Sequence, residues 1–142
     1  VLGGGMTSKL FQNVREKRSL CYSIDSTYYG AKGILLANAG IDFDKETVTR
    51  QEILNQLAAC QEGEITEGEL TAAKEAIASS LRAVLDSPGA VESFHSTAAL
   101  SGMIFTREEY LRAVEQVSTA DVARCAKTLK LHSTYFLKGE SL

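Results

Sequence analysis

The sequence predicts an α+β fold in which an antiparallel sheet is packed by helices. Three observations lead there. A strand–turn–strand pattern occupies residues 19–41, and helical patterns fill most of the chain from Asp44 onward. The strands are set apart from the helices and do not alternate with them as in a βαβ unit. At 142 residues, the chain suits one domain spanning 1–142.

The elements follow in order. After the Gly3-Gly4-Gly5 turn, Met6-Thr7-Ser8 leads into a helix ending near Lys17, with Leu10, Phe11 and Val14 as its apolar stripe. Ser19 to Tyr29 reads as a strand with Tyr22, Ile24, Ser26 and Tyr28 on one face. Gly30-Ala31-Lys32-Gly33 makes a hairpin turn, and Ile34 to Ile41 returns, its small residues allowing close packing. Asp44 is positioned to cap a helix burying Val48, Leu54, Leu57 and Ala58. Thr66 and Glu69 have capping-box spacing ahead of Leu70, Ala73, Ile77, Leu81 and Val84. Ser87-Pro88 restarts a helix, Thr106 to Glu109 and Ser118 to Asp121 look like two more starts, and His132 to Leu137 reads as a short late strand. A hairpin and one late strand are too few for a stable sheet, so further strands are expected from upstream or from a partner. The start at Val1-Leu2-Gly3 fits an excised or processed segment.

Composition narrows the function classes. Hydrophobic residues at 44% and charged residues at 23% are ordinary for a soluble globular protein. A net charge of −3 offers no basic field for nucleic acid or an anionic membrane. No apolar run nears the roughly 20 residues a membrane helix needs. Cys21, Cys60 and Cys125 are scattered without a CxxC pair, which favours reduced, buried, inert thiols in a cytoplasmic protein.

Familiar chemistry is largely missing. His95 and His132 are far apart and fit neither HxxEH nor HExxH, so both read as structural or surface residues. No GxSxG elbow is present. Gly3 to Lys9 fails as a phosphate loop because its lysine follows the serine. The unusual stretch is Val14 to Ile24, where a charged helix end meets a strand at a tyrosine. Cations complementing a helix C-terminus account for part of it.

Together, Leu2-Gly3-Gly4-Gly5-Met6-Thr7-Ser8-Lys9-Leu10-Phe11, Val14-Arg15-Glu16-Lys17 and Ser19-Leu20-Cys21-Tyr22 resemble the second half of an M16 (insulinase, mitochondrial-processing-type) zinc peptidase. Thr66-x-x-Glu69-Leu70-x-x-Ala73-Lys74 and Asp86-Ser87-Pro88 extend the likeness, and Gram-positive bacterial members are the nearest kind. The resemblance implies a LuxS/MPP-like metallohydrolase half-domain, truncated at its N-terminus and comprising most of the C-terminal, non-zinc domain. It implies no cofactor in this chain, with zinc held by HxxEH in the N-terminal half of the parent protein. It further implies that Arg15 anchors a substrate carbonyl or carboxylate and that Tyr22 donates to the scissile carbonyl and its oxyanion. Arg18 competes for the arginine role at the wrong spacing.

Donors such as a phenol and a guanidinium suit charge developing on oxygen in a water-poor cleft. The expected partners are an N-terminal M16 half or paired M16 subunit and a peptide substrate, with a homodimer through open strand edges also open. The leading reading is the substrate-binding part of a zinc endopeptidase, inactive alone. A non-catalytic structural or partner subunit is the alternative. A free-standing interaction domain, in which Arg15 and Tyr22 are ordinary surface and core residues, is the third.

Overall fold

The computed structural model describes residues 1–100, 102 and 105–139. The carbonyls of Val1 and Leu2 accept from the N–H groups of Lys9 (3.0 Å) and Leu10 (2.9 Å). Donors at a helix start have no intrahelical partner, and here the opening residues of the chain supply one. The first helix, Leu10–Glu16, is a π-helix. Its wide i→i+5 turns are closed by bonds such as Lys17 N–H to Gln12 O at 3.0 Å. Leu10 and Val14 are fully buried and pack with Ile24, and Leu2, Leu20, Ala37, Ala39 and Ile53 close this cluster.

Two antiparallel strands follow, β1 (Ser23–Tyr29) and β2 (Ile34–Gly40), in a register running from Ser23 opposite Gly40 to Tyr29 opposite Ile34. A 3₁₀ turn over Gly30–Lys32 joins them, and Gly33 at φ 62° takes the left-handed position that a side chain would resist. β1 starts four residues later than its composition suggests. The N–H of Ser19 closes onto Arg15 O (2.9 Å) and that of Leu20 onto Val14 O (3.1 Å), so these residues finish the helix. Ser19 itself is left-handed at φ 49°.

Five α-helices complete the described chain: α1 (Glu46–Glu62), α2 (Glu67–Ala83), α3 (Pro88–Leu100), α4 (Arg107–Gln116) and α5 (Thr119–Ala126). Asp44 does not cap α1. It lies in a 3₁₀ turn over Phe43–Lys45, and Lys45 stands at the N-cap without a side-chain capping bond. Val48 faces solvent, and α1 buries Thr49, Glu52 and Cys60 instead. Glu52 can be buried because Asn55, Gln56 and Arg18 all bond its carboxylate, at 3.1, 2.7 and 3.3 Å. Helices α2, α4 and α5 each open with a reciprocal capping box: Thr66 with Glu69, Thr106 with Glu109, and Ser118 with Asp121.

A second cluster, Cys60, Ile65, Ala123 and Ala126, joins α1 to α5. Gln61 reinforces it by donating to the carbonyls of Ala126 and Leu129, both at 3.1 Å. The strand expected over His132 to Leu137 is irregular and exposed. Its alternating residues meet no pairing backbone among the described residues, and without one an extended segment has no ladder to join.

Candidate functional site

The structure sets Arg15 and Tyr22 at the two ends of one short junction, the first in the last turn of the π-helix and the second just before β1. The left-handed Ser19 makes the turn between them. The backbone N–H of Tyr22 donates to Gly40 O at 2.8 Å, which ties its main chain to the end of β2. Tyr22 is 68% exposed, so it stands free of the core. Arg15 is half-buried, and its guanidinium lies 4.7 Å from the centre of the Phe11 ring, with a long contact of 3.5 Å to Glu16. Neither group is sunk in the interior.

Arg18 has a different occupation. It contacts the buried carboxylate of Glu52 at 3.3 Å and so helps dock the junction onto α1. Asn13 joins the same network by donating to Gln56 at 2.6 Å. The helix carrying Arg15 is therefore fixed to α1 by polar bonds as well as by Leu10 and Val14.

The Tyr22 hydroxyl donates to Asp42, a residue that nothing in the sequence singled out. Asp42 in turn meets the ammonium of Lys45 at 3.1 Å, and Lys45 also donates to Ser19 O at 3.3 Å. The bond to Asp42, and then its negative charge, raise the Tyr22 phenol above its ordinary value. The same bond lowers the Asp42 carboxyl, with Lys45 adding to the effect. A separation of 20 residues between Tyr22 and Asp42 carries no periodic signal. Only the hairpin, by folding Gly40 back against Tyr22, brings the two together.

The other candidates separate cleanly. His95 and His132 are both exposed and far from this junction in the chain. Cys60 is buried and Cys21 half-buried, and burial raises both thiols, consistent with inert side chains. Cys125 is exposed, contrary to the expectation that all three thiols would be buried. It falls on the solvent side of the short α5, whose inward face is taken by Ala123 and Ala126. No group of three or more His, Cys, Asp or Glu suited to a metal occurs among the described residues. No helix among them is long and apolar enough to cross a membrane.

A separate cavity of about 510 Å³ is walled by Val84, Val91, Phe94, His95 and Phe105, among others. Phe94 meets Phe105 and Tyr110 edge-on, while Phe105 stacks on Tyr110 at 5.2 Å. Neither Arg15 nor Tyr22 lines it. Its walls are apolar on the side of Val84, Leu85, Val91, Phe94 and Phe105 and polar on the side of Thr106, Arg107, Glu108 and Glu109.

Residues 1–77 match the family model described as the peptidase M16 inactive domain. Among curated proteins, the chain is 30% identical over 139 residues to the "probable inactive metalloprotease YmfF" of Bacillus subtilis, covering 98% of the chain and 33% of that relative. It is 32% identical to the "uncharacterized zinc protease YmxG" of the same organism, covering 91% of the chain and 32% of that protein. The chain thus spans about a third of the length of these relatives. A solved structure of a conserved protein from Enterococcus faecalis matches at a TM-score of 0.80 with 28% identity, covering 88% of this chain and 30% of that one. A protease from Helicobacter pylori shares the fold at a TM-score of 0.76 and 21% identity, over 89% of this chain and 32% of its own. The match covers more than half of the chain, and this protein belongs to the M16 peptidase family through its inactive domain.

Proposed function

We propose that this chain is the substrate-binding, non-zinc part of an M16 endopeptidase, with Tyr22 as oxyanion donor and Arg15 as substrate anchor. The observation that carries the reading is the junction itself: an exposed phenol and a half-buried guanidinium flank one left-handed turn. Both are hydrogen-bond donors, and a tetrahedral intermediate at a peptide carbonyl concentrates negative charge on oxygen. The zinc and its activated water would come from another half carrying HxxEH, as in the family pattern. Commitment of Arg18 to Glu52 leaves Arg15 as the better arginine for substrate.

The test is made in the assembled protein, with both halves present. Tyr22→Phe removes one donor and should lower kcat by roughly 10²- to 10³-fold with little change in KM. An unaltered kcat would remove Tyr22 from the chemistry.

A second reading is a non-catalytic partner subunit, and the name of the Bacillus subtilis relative, a probable inactive metalloprotease, favours it. Peptide hydrolysis by the assembled protein decides between the two. Activity lost with the HxxEH glutamate supports the peptidase, and no activity with a fully loaded zinc site supports the partner subunit.

A further inference from the structure

We propose that Asp42, braced by Lys45, is a positioning residue for the Tyr22 hydroxyl, holding its one proton in reserve until charge develops on the substrate oxygen. This rests on the reading of Tyr22 as oxyanion donor.

The argument starts from an exposed ring. A solvent-facing tyrosine side chain can rotate freely, and ordering it on demand would cost conformational entropy. Here the O–H is already bonded to Asp42. Lys45 meets the other carboxylate oxygen of Asp42 at 3.1 Å, which favours the position in which Asp42 accepts from Tyr22. Lys45 is fixed in its turn by the carbonyl of Ser19, at the crest of the left-handed turn between Arg15 and Tyr22. Tyr22, Asp42, Lys45 and Ser19 form one connected chain of polar bonds across the junction.

That chain has a chemical consequence. A phenol has a single proton to donate, and while Asp42 holds it the oxygen offers a substrate only lone pairs. A neutral peptide carbonyl is a poorer acceptor than a carboxylate and does not capture the proton. An oxyanion is a charged acceptor and competes on equal terms. Donation therefore switches from Asp42 to substrate as the tetrahedral intermediate forms, which favours the transition state over the bound ground state. Lys45 offsets the Asp42 charge left behind, so the carboxylate does not repel the new oxyanion. Besides Asp42 and Lys45, Asp44 is the remaining charged group that acts on the phenol.

The experiment uses the assembled protein with Asp42→Ala, Tyr22→Phe and the double variant, followed by peptide hydrolysis. Tyrosine labelled with ¹³C at Cζ reports the phenols, and Tyr22→Phe identifies the Tyr22 signal among them. Asp42→Ala should bring the Tyr22 titration down toward that of an ordinary tyrosine. It should also lower kcat on the order of 10- to 100-fold at constant KM. In the Tyr22→Phe background it should have no further effect, since a residue acting through Tyr22 has nothing left to act on. Asp42→Asn, which keeps the shape, should move the titration the same way and guards against a simple folding defect. If Tyr22→Phe slows turnover but Asp42→Ala does not, the positioning role is overturned while the Tyr22 role stands. If neither variant slows turnover, both fall.

Discussion

Gly3 shows how much one missing carbon can decide. A Cβ built there would lie 2.5 Å from Ser26 Oγ and 2.7 Å from the Ser26 backbone nitrogen, on β1. That nitrogen donates to Gly3 O at 2.9 Å, so the opening residues of the chain lie directly against the strand. The obstacle is partly backbone and cannot rotate away. Gly3→Ala should therefore destabilise the protein by about 1–3 kcal/mol, read as a lower urea midpoint. Gly4→Ala, with open space around its Cβ, should differ little from the parent, and equal midpoints for the two variants would refute this account. Only the geometric role of the glycine turn was legible in the sequence. Which glycine carries it depends on the approach of Ser26, a contact across 23 residues. The candidate site was legible to the same degree. Arg15 and Tyr22 stand out through family resemblance and a local spacing of seven, whereas Asp42 and Lys45 enter only through hairpin closure.

Element boundaries were legible wherever local hydrogen bonding decides them. The starts of α2, α4 and α5 follow from Thr66, Thr106 and Ser118, each paired with an acid three residues on. Misreadings occurred where tertiary bonds decide. The chain before β1 was spent on closing the π-helix, and the 132–137 segment met no partner strand. The capping boxes also set a pH response. Asp121 accepts from the hydroxyl and backbone N–H of Ser118 and from Arg124, which together lower its carboxyl to about 2 from an ordinary 3.8. A depressed acid stabilises the fold above its unfolded value and loses that contribution as pH falls through the folded one. Ser118→Ala should accordingly lower Tm by roughly 3 °C near neutral pH. The gap from the parent should narrow as pH drops from about 4 to about 2. A gap that widens on acidification would show that the box does not act through the Asp121 carboxylate.

At the scale of the whole molecule, burial is thin. Leu10, Val14, Thr49 and Cys60 are the fully buried side chains among the described residues, while Tyr28, Tyr29, Ile34 and Leu36 of the hairpin face solvent. A two-stranded sheet with one covered face gains its stability from what packs on it, here the π-helix and α1. Its other face is mixed, with Tyr29, Ile34 and Leu36 beside Asp25, Thr27 and Asn38. This shortfall of strands could be counted from the sequence, but the loss of the late strand could not. The proposed division of labour between two halves leads to a specific biochemical outcome. The chain has two histidines, His95 and His132, and both are exposed, with no metal-suited cluster around them among the described residues. Structural and catalytic zinc sites need three or four converging ligands. The isolated chain should therefore bind no stoichiometric zinc after dialysis against the metal and should not hydrolyse a fluorogenic peptide. Adding the half that carries HxxEH should restore both properties together, with about one zinc per pair. Metal analysis that finds one tightly held zinc in the chain alone would place metal chemistry in this half and overturn the division.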